Sequence, residues 1–110
     1  MHDTEFWADL ARLEGTTLRT LGRGNVFDVV SIDDKVAVVR PHESMTGRAI
    51  PRKSFEGALG AIRSRGSLDL KGVRAFNEMN PVYVAAMIAQ LPCISFSSKP
   101  KIVLRYSGRP

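Results

Sequence analysis

The sequence predicts an α+β chain: an N-terminal helix, an antiparallel β-meander, then three helices and a β-hairpin. Three stretches carry that prediction. Residues 80–106 read Asn-Pro, an apolar run from Val82 to Leu91, Pro92, and two β-rich segments split by Ser98-Lys99-Pro100. Residues 26–40 hold two runs rich in Val and Ile, separated by Asp33-Asp34. Residues 51–66 run from a proline to a glycine with apolar residues at helical spacing. With 110 residues, 44% hydrophobic and 25% charged, the chain suits one compact unit built from two subdomains, 1–50 and 51–110.

Each element has a local reason. Thr4 is a candidate N-cap for a helix through about Glu14, with Phe6, Leu10 and Leu13 at i, i+4, i+7 and Trp7 beside them. So short an amphipathic helix must dock, either on the core or, with Trp7 as anchor, on a partner such as a second copy. Thr16 to Leu21, Val26 to Ile32 and Lys35 to Arg40 read as three strands of a meander, joined by the loop Gly22-Arg23-Gly24-Asn25 and the turn Asp33-Asp34. Alternation places Phe27, Val29 and Ser31 on one face of the second strand. Gly47 to Ile50 is a candidate fourth strand.

Pro51 opens the next helix and Gly66 closes it, with Phe55, Ala58, Leu59 and Ile62 marking the buried face. Gly57 and Gly60 each weaken a helix by roughly 1 kcal/mol relative to Ala, which close packing against that face would explain. Arg52 and Lys53 stand in the first turn, where the helix dipole disfavours cations, and this points to contact with an anion. Ser67 to Phe76 reads as one or two strand residues and a short helix capped by Asp69. After the turn Asn77-Glu78-Met79, Asn80 caps a helix with Pro81 at its first position, and Pro92 ends it.

Charge is distributed unevenly. Residues 1–34 carry seven acids against three bases, and residues 35–110 carry four acids against thirteen bases. A basic C-terminal half of this kind suits a polyanion, or else is simply a solvated surface. No apolar run approaches a membrane span. The acidic start Met1-His2-Asp3-Thr4-Glu5 is unlike a secretory signal, so the expected location is cytoplasmic.

Catalytic chemistry finds little support. Gly22-Arg23-Gly24 leads into a strand, not a helix, so it reads as a hairpin loop instead of a phosphate loop, with Arg23 at the tip available to a nucleic-acid backbone. Asp33 and Lys35 have the Asp-x-Lys spacing of metal-dependent nucleases, with Asp28 upstream, but they fall at a turn and no further acid completes a site. His2 and His42 are isolated, Cys93 has no neighbouring histidine, and Ser95, Ser97 and Ser98 lack a nucleophile-elbow setting. The expectation is a protein that is not an enzyme and takes no cofactor, metal or small-molecule substrate.

From Pro51 the order is helix, short extended piece, helix, turn, helix, hairpin. That order resembles the winged helix-turn-helix superfamily over about half the chain. The whole layout also resembles small DNA-binding modules attached to restriction-type nucleases, around Val38-Val39-Arg40, Arg48-Ala49-Ile50-Pro51-Arg52 and Asn80-Pro81-Val82-Tyr83-Val84. The resemblance implies duplex DNA binding without catalysis, with the hairpin as a wing. Phosphate contacts are expected from Arg52, Lys53, Lys71, Arg74, Lys99 and Lys101. The third helix offers only Asn80, Tyr83 and Gln90 to base edges, carries no Arg or Lys, and reads as largely buried, a core element or a dimer interface. DNA is therefore the expected partner, with a homodimer also in view. The alternative is a protein-interaction module, adaptor or inhibitor, docking through its basic face or through Trp7. DNA binding requires the six cations to share one continuous surface.

Overall fold

A computed structural model describes residues 3–107, with side chains from Phe6 onward; His2 lies outside the described residues. The α+β prediction holds. The elements are α1 (Asp3–Ala11), β1 (Thr17–Arg19), β2 (Val26–Ile32), β3 (Val36–Pro41), β4 (Arg48–Pro51), α2 (Arg52–Arg65), β5 (Ser67–Asp69), α3 (Leu70–Arg74), α4 (Pro81–Ile88), β6 (Ile94–Ser97) and β7 (Val103–Tyr106). One antiparallel sheet has the order β1-β2-β3-β4 and the second has β5-β7-β6. No helix among the described residues is long and apolar enough to cross a membrane.

A single buried cluster draws on both halves. Phe6 and Leu10 of α1, Phe27 and Val29 of β2, Val39 of β3, Phe55, Leu59 and Ile62 of α2, and Val84 and Met87 of α4 all belong to it. The two predicted subdomains therefore share one core. The helical spacing of α2 translates directly into burial: Phe55, Ala58, Leu59 and Ile62 are all inside. Its C-terminal stop is also as expected, because Gly66 takes φ 86° and donates to Ile62 O, a left-handed cap that costs a side-chain-bearing residue more than glycine.

Local reading failed at several points. Helix α1 already includes Asp3 and Thr4, so Thr4 is not its cap, and it ends at Ala11, short of Glu14. Its last turn loosens into short-range bonds, Leu13 N to Leu10 O and Glu14 N to Ala11 O. In β2 a bulge shifts the register between Val29 and Ser31. The alternation therefore breaks: Ser31 is exposed, not on the buried face of Phe27 and Val29. Helix α4 stops at Ile88, and Asn80 at its start makes no side-chain cap. Asn77 instead fastens the approach to the helix, its Oδ1 accepting from Asn80 N at 2.9 Å while its Nδ2 donates to buried Ser54 Oγ at 3.0 Å.

Trp7 is not a docking anchor for a partner. It is 6% exposed, donates through Nε1 to Asp33 O at 2.9 Å, and meets Phe55 edge-on with centroids 5.6 Å apart. It ties α1 to the β2–β3 turn and to α2, which is the core option for this helix.

Candidate nucleic-acid interface

Three separate segments converge on one cleft of about 550 Å³. The first is the β1–β2 loop. Thr20 N donates to Asn25 O at 2.9 Å and Asn25 N donates back to Thr20 Oγ1 at 3.0 Å. This closes a tight loop in which Gly22 and Gly24 have φ of 88° and 71°. A glycine on each side of Arg23 leaves that arginine at the loop tip, exposed.

The second segment is α3 with the first turn of α4. Asp69 caps α3 as its position predicts, its Oδ1 accepting from Gly72 N at 2.8 Å. That amide, and then Lys101, hold the Asp69 carboxyl below the ordinary value. Leu70 and Arg74 of α3 and Val82 and Tyr83 of α4 line the cleft. The third segment is the β6–β7 turn, which contributes Ser98, Pro100, Lys101 and Ile102. The turn is held to the second of these, Leu70 N donating to Ile102 O at 3.2 Å; beside it Gly22 leaves room for ordinary van der Waals contact, an added Cβ lying 3.4 Å from Ile102 Cδ1.

The electrostatics set this cleft apart. Arg23, Arg74 and Lys101 line it and no carboxylate does. In four other surface clefts every arginine or lysine is accompanied by an aspartate: Arg52 with Asp33 and Asp34, Arg65 and Lys101 with Asp69, Arg40 with Asp28, and Arg12 with Asp9. No side-chain hydrogen bond or ion pair to Arg23 or Arg74 is found among the described residues. Lys101 Nζ does lie 3.3 Å from Asp69 Oδ2, yet the lysine is 68% exposed, and an exposed pair of this kind is readily given up.

The nine residues singled out by sequence separate into groups. Arg74, Tyr83 and Lys101 are in the cleft. Lys71 is exposed on α3, and Lys99 is exposed between the cleft residues Ser98 and Pro100. Arg52 is elsewhere. It donates to Glu56 Oε2 at 3.3 Å and to Asp34 O at 3.2 Å, with its guanidinium 5.1 Å from the Trp7 centroid. The anion it meets is internal, the Glu56 carboxylate one turn on. Lys53 is exposed beside it on α2, outside the cleft lining. Of the six cations, Arg74 and Lys101 line the cleft, Lys71 and Lys99 are exposed next to lining residues in sequence, and Arg52 and Lys53 stand on α2.

Nor does α4 present a reading face. Val84, Ala85, Ala86, Met87 and Ile88 are fully buried. Asn80 accepts from Arg48 Nη1 at 3.3 Å. Tyr83 is half-buried, edge-on to Phe27 with centroids 5.0 Å apart. Gln90 sits past the other end of the helix in a cleft with Asp9 and Arg12, its Nε2 donating to Ala86 O at 3.4 Å. Helices α3 and α2 and strand β1 pack around α4.

Arg23 is the member that sequence reading placed only in passing. Its signal was the Gly-Arg-Gly tripeptide, but nothing local says that this loop meets a turn nearly 80 residues away. The nuclease-like acids also have structural roles. Asp33 Oδ1 accepts from Lys35 N and Val36 N at 2.8 and 2.9 Å, which fastens the β2–β3 turn and lowers the Asp33 pKa. Asp28 faces His42, Thr17 and Arg40. Among the described residues no group of three or more His, Cys, Asp or Glu side chains gathers as a metal site would need. No family model, curated protein or solved structure matches this chain.

Proposed function

We propose that this protein binds duplex DNA without catalysis, chiefly through phosphate contacts around the cleft and the β6–β7 turn. The observation that carries this reading is the convergence on one cleft of Arg23, Arg74 and Lys101, from three segments distant in sequence, with only Lys101 paired to an acid, Asp69. Concentrating like charge costs stability unless a polyanion relieves it. The helix–strand–helix–helix–hairpin order of residues 51–106 supports use of the hairpin as a wing, in keeping with the winged-helix resemblance. Burial of α4 favours a binder that tolerates sequence variation. The alternative, a protein-interaction module, loses its Trp7 anchor to the core and keeps only the basic surface.

The test is fluorescence anisotropy with a labelled random-sequence duplex. If Arg23, Lys71, Arg74, Lys99 and Lys101 each neutralise one phosphate, affinity should fall roughly five-hundredfold between about 50 and 200 mM salt. Absence of binding at the lower salt would overturn the reading and direct attention to an acidic protein partner.

A further inference from the structure

We infer that the cleft receives one unpaired nucleotide at a DNA strand end, an inference that rests on the DNA-binding reading above. Phosphate contacts alone need only cations at a surface. This cleft also offers half-buried apolar side chains, Leu21, Leu70, Val82 and Ile102, beside its exposed cations. An intact duplex keeps its bases stacked inside and has no apolar face to lay against them, whereas a splayed base does.

Size and rigidity agree. About 550 Å³ is the volume of a small-ligand pocket, large enough for a nucleotide and far too small for a double helix. Two of the walls are already joined, by the Leu70 N to Ile102 O bond at 3.2 Å. Little ordering remains to be done on binding. Asn25 and Ser98, also in the lining, supply an amide and a hydroxyl for a base edge. Arg23, Arg74 and Lys101 are placed for the flanking phosphates, with charge complementary to them, Lys101 by giving up its exposed pair with Asp69. Strand ends and overhangs present such a nucleotide without the cost of unpairing it.

The experiment compares a short blunt duplex with the same duplex carrying a single-stranded overhang, by anisotropy at about 50 mM salt, a concentration at which phosphate contacts are strong. The overhang should bind at least about tenfold more tightly, the order that one stacked base contributes. Leu21→Ser should erase most of that preference. A fluorescent adenine analogue in the overhang gives a readout on the unaltered protein: its emission should change at saturation as the base leaves its stack. Equal affinity for the two duplexes, or unchanged emission at saturation, would overturn the nucleotide site and leave the duplex-binding reading standing. No binding to either would overturn both.

Discussion

Arg48 of β4 donates from Nη1 to Asn80 Oδ1 at the start of α4, at 3.3 Å, and the same guanidinium lies 5.4 Å from the centroid of the Tyr83 ring. The meander thus takes up the Asn80 amide by a hydrogen bond and lies against the Tyr83 ring. Direct readers gain about 1–3 kcal/mol per correct base pair. With Asn80 and Tyr83 engaged inside the protein and Gln90 at the far end, competition among duplexes of different sequence should reveal no preference approaching that size. A strongly preferred site, found by selection from a random library, would contradict this account of α4.

On the DNA-binding reading, the cations should divide into two sets. Arg23→Ala, Arg74→Ala and Lys101→Ala should each weaken binding to all sequences alike and reduce the salt slope by about 0.9 per lost phosphate contact. Arg52→Ala should leave that slope unchanged. It should instead lower stability by about 1 kcal/mol, through loss of the contacts to Trp7, Glu56 and Asp34 O. Titrations of the four variants at several salt concentrations, beside thermal melts, separate the two effects.

Two glycines in one helix should respond in opposite ways. Around Gly60 nothing lies within 4 Å of an added Cβ, so Gly60→Ala should stabilise the protein by up to about 1 kcal/mol through helix propensity alone. At Gly57 an added Cβ would sit 2.5 Å from Phe76 Cδ1, so the same change must displace that ring and forfeits the gain. In a Phe76→Ala background, Gly57→Ala should recover it. Denaturant unfolding of this set measures the coupling directly.

Acid sensitivity should concentrate at Asp28. Its hydrogen bond with His42, then that with Thr17 and, more weakly, that with Arg40, hold its carboxyl down from 3.8 to about 2. A carboxylate depressed in the native state stabilises the fold above its unfolded value and loses that contribution as pH falls through the native one. The midpoint of unfolding, followed by circular dichroism, should therefore drop as pH falls from about 4 to about 2. Asp28→Asn should flatten that decline, leaving the smaller share due to Asp33 and Asp69, which are lowered in the same direction. An unchanged decline would place the acid sensitivity elsewhere.

The single tryptophan offers a check on α1. Buried against Phe6 and Phe55, Trp7 should emit at short wavelength in the native protein and shift to the red on unfolding. Trp7→Ala should cost about 3–5 kcal/mol, as loss of a large core side chain does. A red-shifted native emission would contradict its burial.

Features set within a few residues were legible in the chain itself. Asp69 as the cap of α3, Pro51 and Gly66 as the limits of α2, the face Phe55-Leu59-Ile62, and the strand runs of the meander all follow from spacing, side-chain hydrogen bonding and backbone sterics over one or two turns. Even the failures were local in origin: a bulge at Val30 shifts one residue of β2 and moves Ser31 to the exposed side, and no composition rule announces it.

What only the tertiary structure decided is which element meets which. Arg52 meets its anion inside the protein, with Glu56, Asp34 O and the Trp7 ring around its guanidinium. Asn80 looked like a cap until Arg48 took its side chain. Arg23, Arg74 and Lys101 became one cleft because the β1–β2 loop lies beside the β6–β7 turn, Gly22 next to Ile102. The sequence by itself determined the α+β class, most element limits and the positive charge of the C-terminal half, because propensity, periodicity and net charge act over short range or simply add. Packing decided where that charge gathers, because contacts between residues tens of positions apart depend on the fit of whole elements into a shared core.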